Sequence, residues 1–226
     1  MQRLTAAQKC EWGLMILYTL LGLGTGIWNI FHSTVYYVFL AFVSPLLLLI
    51  PFAVDLVFKL KPAYSMHLLI HIFLWMAFMG GMVYDGYIRW PLYDKITHMM
   101  SGVLFAVIGI CVYYFFKRRQ EVHPSDYALV SYFAVSFAMA SSVIWEIYEY
   151  LFNFIFPTDP QHVLDTGIND TMQDMIACLL GALIVWGLIA IHFKRKKRMF
   201  IMQPVEEFVE KNLSETSPHK AASDAD

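Results

Sequence analysis

Six apolar stretches of roughly 20 residues divide this chain, and each is long enough to cross a lipid bilayer as an α-helix. Only 15% of the 226 residues are charged, against about 25% in typical soluble domains. The pattern therefore predicts an all-α fold, a polytopic membrane bundle of six transmembrane helices that forms one domain over residues 1–198. The six predicted spans are residues 13–31, 35–58, 64–87, 96–116, 130–153 and 171–193.

Basic residues are distributed unevenly between the two sides of this bundle, and the asymmetry predicts its orientation. With the N-terminus inside the cell, 14 of the 16 lysine and arginine residues fall in cytoplasmic segments, and only Arg89 and Lys95 fall outside. Cytoplasmic loops of membrane proteins carry such an excess of basic residues. We therefore predict a multi-pass protein of the cell membrane with both termini in the cytoplasm.

Residues 199–226 differ in composition and are predicted to form a cytoplasmic polar tail. The end of the tail, SETSPHKAASDAD, has too few apolar side chains to build a core, which predicts disorder there. Its first part has apolar residues at spacings that suit one face of a short amphipathic helix. These residues are Phe200, Ile201, Val205, Phe208, Val209 and Leu213.

Three pairs of ionisable residues lie near the predicted outer ends of the last three spans. Spacings of i, i+3 and i, i+4 put both members of each pair on one helical face. A carboxylate near the bilayer centre costs about 2.5–3.5 kcal/mol, so acids within spans usually serve a function. We predict that all six side chains converge on one catalytic site at the outer leaflet. They are Asp94 and His98 in the fourth span, Glu146 and Glu149 in the fifth, and Asp170 and Asp174 in the sixth.

The chemistry of this set suits a divalent metal cofactor, because one imidazole with several carboxylates is a ligand set for Zn²⁺, Mn²⁺ or Fe. Such an ion activates a bound water or polarises a phosphoryl oxygen. A proton relay or cation transport would use the same residues, and a structural network with Asp94 and Asp170 as helix N-caps is the third reading. The predicted metal ligands are His98, Glu146, Glu149 and Asp174.

The second and third spans contain weaker signals. His67 and His71 have the i, i+4 spacing of some metal sites but no acid close in sequence, so we expect them to bond to a neighbouring helix. Asp55 stands alone near the cytoplasmic end of its span, and we expect its carboxylate to extend towards water. Pro45 and Pro51 are too few to predict a broken helix.

The segments around the three pairs resemble known families. They are YDKITHMMSG at 93–102, WEIYEY at 145–150 and DTMQDMIACLLGA at 170–182. In this order they resemble the YjdF-like family of uncharacterised bacterial inner-membrane proteins. The first and third segments are also similar to the VanZ-like family, which is associated with resistance to the glycopeptide teicoplanin.

The match to the VanZ-like motifs holds at some positions and fails at others. Asp94, Lys95 and His98 match the first motif, whereas Glu149 stands where that family has Gln and Asp174 stands where it has Asn. These departures favour the YjdF-like family. Neither resemblance implies an established reaction.

Together these features predict an envelope or lipid-modifying enzyme that uses a His/carboxylate site, with a divalent metal as the candidate cofactor. A small ion-coupled transporter and a non-catalytic membrane partner or scaffold are the alternatives. Membrane lipids are the expected partners, and nucleic acid is not. The sequence identifies no substrate.

Overall fold

The computed structural model of the chain describes residues 5–117, 123–155, 161, 163–195 and 199–213. Helices account for most of these residues, and no β-strand occurs among them. The predicted all-α membrane bundle is confirmed, and the observed spans agree with the predicted ones to within seven residues at each end. The helices that are long and apolar enough to cross a membrane are Ala6–His32, Val35–Phe58, Tyr64–Val83, Tyr93–Phe116, Pro124–Ile155 and Asn169–Lys194.

The chain divides into two compact units. Unit 1 consists of residues 1–93 and 210–226, and unit 2 consists of residues 94–209. Almost the whole of each long helix lies within one unit, so each unit holds three spans.

Unit 1 is built around α1 (Ala6–His32), which packs against the second and third spans. Thr5 begins this helix with a capping box, in which its side chain accepts from the Gln8 N–H while the Gln8 side chain accepts from the Thr5 N–H. Many large apolar side chains remain exposed, including Val35 and Leu56. Such side chains are expected to face lipid in a membrane bundle.

The second span is not a continuous α-helix. It consists of α2 (Val35–Val43), a 3₁₀ segment (Ser44–Leu49) and α3 (Ile50–Phe58). Pro45 lies in the first turn of the 3₁₀ segment and Pro51 in the first turn of α3, where a proline lacks the N–H that an α-helical hydrogen bond needs. The two prolines therefore mark a change of helix type, although in the sequence two prolines alone did not indicate a break.

The third span also changes type along its length. It begins as α4 (Tyr64–Leu74) and continues as a π segment (Trp75–Val83) that contains Gly80 and Gly81. Within the π segment the carbonyl of Met76 accepts a hydrogen bond from the Tyr93 hydroxyl at 2.7 Å. The short helix α5 (Gly86–Arg89) follows.

Unit 2 contains the long helices α6 (Tyr93–Phe116), α7 (Tyr127–Ile155) and α9 (Asn169–Arg195), with the short α8 (Val163–Thr166) before α9. Helices α6 and α9 are in close contact at Gly102 and Gly181. A Cβ atom added at Gly102 would lie 2.0 Å from the Cys178 carbonyl oxygen, and a Cβ atom added at Gly181 would lie 2.0 Å from the Met99 carbonyl oxygen. Small residues allow such close backbone approach. The contact brings the first turns of α6 and α9 together.

The amphipathic helix predicted in the tail is present as α10 (Gln203–Asn212), which follows a 3₁₀ turn (Phe200–Met202). Its apolar residues Val205 and Val209 are buried, whereas Phe200 is exposed. In unit 1, the Asn212 side chain pairs with the backbone of Lys61, accepting from its N–H at 2.6 Å and donating to its carbonyl at 3.1 Å. The predicted disordered end of the tail, 214–226, lies outside the described residues.

Candidate functional site

The first turns of α6 and α9 place one ammonium group among three carboxylates. Lys95 Nζ lies 2.6 Å from Asp170 Oδ1, 2.7 Å from Asp174 Oδ1 and 3.1 Å from Asp94 Oδ2. An ammonium group has three protons to donate, so each proton has its own carboxylate acceptor. We call this group with its neighbouring imidazole the aspartate–lysine cluster: Asp94, Lys95, His98, Asp170 and Asp174.

Asp94 and Asp170 occupy equivalent places in their helices. Each is the second residue of its helix, where the partial positive charge of the helix N-terminus stabilises a carboxylate. Both lie within the first turn instead of at the N-cap position, and both accept a hydrogen bond from Lys95. The local role of these two acids is therefore to hold the Lys95 ammonium.

His98 lies beside the acids one turn deeper in α6. Its Nε2 is 3.5 Å from Asp94 Oδ1 and 3.8 Å from Asp174 Oδ1, which is longer than an ordinary hydrogen bond. These three side chains each offer one ligand atom, and the three atoms all lie within 4.8 Å of one another. Tetrahedral ligands bonded to Zn²⁺ at about 2.0–2.2 Å lie about 3.3–3.6 Å apart. The spacing is therefore close to what one metal ion requires.

Lys95 would compete for a carboxylate oxygen with any cation bound to these ligands. Its ammonium contacts Asp174 Oδ1, the same oxygen that faces His98 Nε2. A divalent ion at the three ligand atoms would share this oxygen with Lys95 or displace the ammonium. Three ionised aspartates against one ammonium leave a net charge of −2 with His98 neutral, and this favours a further cation.

The two glutamates of α7 occupy different surroundings. Glu146 is buried, and its Oε2 accepts a hydrogen bond from Gln161 Nε2 at 3.1 Å. Its other oxygen, Oε1, has no hydrogen-bond partner among the described residues. Glu149 is partly buried and interacts electrostatically with Glu146, and also with His98 and Asp94. Glu149 thus interacts with both Glu146 and the cluster, whereas the hydrogen bonds described for Glu146 are to Gln161.

Two residues of this region were not among the predicted site residues. Lys95 is the centre of the cluster, and the available signal was that it is one of the two basic residues on the predicted outer side, next to Asp94. Gln161 bonds Glu146 from the connection between α7 and α9, where no periodic pattern indicates a position. The ligand set that the structure brings together is accordingly Asp94, His98 and Asp174.

A second group of ionisable side chains meets within unit 1. His67 Nδ1 lies 3.0 Å from Glu11 Oε1, and His67 Nε2 lies 2.8 Å from Asp55 Oδ2. The expectation that the histidines bond to neighbouring helices is confirmed. The expectation that Asp55 stands alone is wrong, because its partner comes from another span. We call this group the buried histidine network: Glu11, Asp55, His67 and His71.

The fold and these charged clusters define a multi-pass helical membrane protein with polar groups inside its bundle. Within this class, the sequence profile of the family described as predicted membrane protein (DUF2238) matches residues 11–195, and the chain belongs to this family. The family is the one that the YjdF-like resemblance indicated. No curated protein and no solved structure matches the chain significantly. The similarity to the VanZ-like family stays a prediction.

Proposed function

We propose that the protein is a membrane enzyme whose aspartate–lysine cluster binds a divalent cation and acts on a lipid or another component of the cell envelope. The observation that carries this proposal is the convergence of ligand atoms from Asp94, His98 and Asp174 within 4.8 Å. The imidazole and carboxylates suit Zn²⁺, Mn²⁺ or Fe.

The depth of the cluster supports a lipid or headgroup substrate. Asp94 and Asp170 are the second residues of their helices, and His98 and Asp174 lie one turn further in. At 1.5 Å per residue, the whole cluster spans roughly the first 8 Å of each helix. This is the depth at which a phosphate or ester group of a lipid meets the protein. In the predicted topology that side is the outer leaflet.

The remaining side chains have roles that fit such an enzyme. A bound divalent ion supplies Lewis acidity. Glu149, which interacts electrostatically with His98, is the candidate general acid. Lys95 holds the three aspartates in place and balances part of their charge.

Metal analysis of the purified protein tests the proposal. After incubation with Zn²⁺, Mn²⁺ or Fe²⁺ and removal of free ions, we expect about one ion per wild-type chain and at least a tenfold loss in His98→Ala, since loss of metal ligands weakens binding strongly. His123→Ala is the matched control, because His123 is an exposed histidine of the same unit outside the cluster. Wild-type protein without stoichiometric metal, or His98→Ala with full occupancy, would refute the cation site.

A small ion-coupled transporter is the second candidate, and the breaks in the second and third spans favour it. Transporters place binding sites where helices are discontinuous, and irregular backbone at membrane depth lies against protein or a cavity. Unit 1 also has a cavity of about 640 Å³ whose lining includes Thr25, Asn29 and Asp85. If the protein is a transporter, adding the divalent ion to sealed proteoliposomes should start a proton flux. An enzyme at the cluster produces no such flux.

A further inference from the structure

The buried histidine network joins three spans of unit 1 through one imidazole ring. Glu11 comes from α1, Asp55 from α3 and His67 from α4. His67 Nδ1 is hydrogen-bonded to Glu11 Oε1, and His67 Nε2 lies 2.8 Å from Asp55 Oδ2 as a close contact without hydrogen-bond alignment. Glu11 is fully buried, whereas the Asp55 side chain is 15% exposed. The network therefore leads from a partly accessible carboxylate to an enclosed one.

His71 extends the network, and the break in the second span fixes its tautomer. Its Nε2 lies 2.9 Å from the carbonyl oxygen of Leu48, which can only accept, so Nε2 carries a proton. In a 3₁₀ segment the Leu48 carbonyl would accept from the N–H of residue 51, and Pro51 has none. The proline thus leaves this carbonyl for His71. In a neutral His71 ring, Nδ1 is then the unprotonated acceptor.

This arrangement turns two acceptors towards each other in a buried place. His71 Nδ1 lies 3.7 Å from Glu11 Oε1, and among the described residues neither His71 Nδ1 nor Glu11 Oε2 has a hydrogen-bond partner. Both side chains are fully buried. Buried polar atoms without a partner are uncommon and costly. One proton bound by Glu11 or by His71 would convert this unfavourable contact into a donor–acceptor pair.

We propose that the buried histidine network is a proton relay that takes up one proton at Asp55 and stores it between Glu11 and His71. A proton from water reaches the Asp55 carboxylate and passes to His67 Nε2. His67 gives up the proton on its Nδ1 to Glu11 Oε1, so the ring keeps the same number of protons. Glu11 then shares the new proton with His71, and no oxidant or other reactant takes part.

The geometry fits a proton better than a metal ion. A metal needs ligand atoms that converge on one point, whereas His67 uses its two nitrogens for carboxylates on opposite sides of the ring. The relay starts from a neutral His67 that carries its proton on Nδ1, so with His71 neutral and both acids ionised the network has a net charge of −2. A single added proton halves this charge.

Among the described contacts, the other charged or titratable groups near the network are Lys211, close to Asp55, and Tyr64, close to His67. Lys211 of α10 interacts electrostatically with Asp55, donates to the Pro62 carbonyl at 2.8 Å and lies 4.7 Å from the centre of the Tyr64 ring. The Tyr64 ring lies 5.9 Å from that of His67. Lys211 therefore offsets the charge at the entrance to the relay, and Glu11 is left to the two histidines.

Infrared spectroscopy of the purified full-length protein tests the relay. Between alkaline and mildly acidic pH, we expect the wild-type spectrum to contain one titrating carboxylic-acid C=O band that is missing from the Glu11→Gln spectrum, whatever bands the other acids contribute. Glu146→Gln, which removes a buried glutamate of unit 2, is the matched control and should keep the band. Asp55→Asn should keep the band but slow its shift on transfer to D₂O by at least tenfold, because the entry step is lost.

Each result decides the proposal. A wild-type spectrum with no titrating carboxylic-acid band refutes it without reference to any variant, and so does a Glu11→Gln spectrum that retains every titrating band of the wild type. If Glu11→Gln does not fold, Asp55→Asn decides: exchange at the wild-type rate refutes the relay. The cation site in unit 2 is a separate proposal, since its metal content and this band are measured independently.

Discussion

The Lys95 ammonium donates one hydrogen bond to each of three aspartates, and these acceptors lie on two helices. Asp94 precedes it on α6, while Asp170 and Asp174 are on α9. The lysine is thus an electrostatic connection between the first turns of two spans. Without it, three carboxylates would face one another in a partly buried site, where like charges destabilise the fold.

We expect Lys95→Gln to lower the melting temperature of the protein. Removing one partner of a buried ion pair costs about 3–5 kcal/mol, and the partial exposure of this cluster reduces the expected loss to about 1–3 kcal/mol. Added Mn²⁺ or Zn²⁺ should restore the melting temperature more in Lys95→Gln than in wild type, because the divalent ion replaces the missing positive charge. Thermal unfolding with and without the ion measures both effects.

Lys117→Gln is the control for this experiment. Lys117 also lies in unit 2, and its described ion pair is with Asp126, away from the cluster. We expect a smaller loss of stability there and no recovery with divalent ions. Equal losses in the two variants, with no response to metal in either, would contradict the central role of Lys95.

The sequence predicted most of the cluster but not the residue at its centre. Spacing along α6 and α9 put Asp94 with His98 and Asp170 with Asp174, because residues three or four apart share a helical face. Lys95 is adjacent to Asp94 and, by the same rule, faces elsewhere. Its long side chain brings the ammonium back to the acids. The spacing of residues along a helix does not indicate how far a long side chain can reach.

At the scale of elements, the close contact between α6 and α9 leads to a second prediction, which concerns the stability of a Gly181 variant. A Cβ atom at Gly181 would lie 2.0 Å from the Met99 carbonyl oxygen, which belongs to the backbone and cannot turn aside. We expect Gly181→Ala to cost at least the 1–3 kcal/mol typical of overpacked sites. Because the helices must separate to admit the methyl group, its metal content should fall as well.

Gly187→Ala provides a matched comparison on the same helix. A Cβ atom there would meet nothing within 4 Å, and alanine favours a helix over glycine by about 1 kcal/mol. We expect this variant to be as stable as wild type or more so. A similar loss of stability in both variants would mean that close packing of α6 and α9 is not the cause.

The extent of the spans was predictable, whereas their internal breaks and polar contacts were not. Hydropathy adds up over about 20 residues and is insensitive to one or two prolines, so the 3₁₀ segment Ser44–Leu49 left no signal in it. The partners of His67 come from two other spans, 56 positions away in the case of Glu11. Such contacts depend on which helices are neighbours, and periodicity within one span carries no information about that.

At the scale of the whole molecule, the orientation in the membrane is open to a direct experiment. The excess of basic residues on one side predicts that reporter fusions after Arg119 and Arg198 are cytoplasmic. A fusion at Gln161 should be external. A cytoplasmic reporter at 161 would reverse the topology and move the aspartate–lysine cluster to the inner leaflet.

The π segment of the third span has a consequence for how this family tolerates changes in chain length. Its hydrogen bonds run from residue i to i+5, so it holds more residues than an α-helix with the same number of turns. Deleting one residue between 75 and 83 would allow a return towards the α-helical pattern. The same deletion in the middle of α6 would rotate one half of that helix by about 100° against the other and separate Gly102 from Gly109. If a relative has a one-residue deletion within a span, we therefore expect the deletion to lie in the third span.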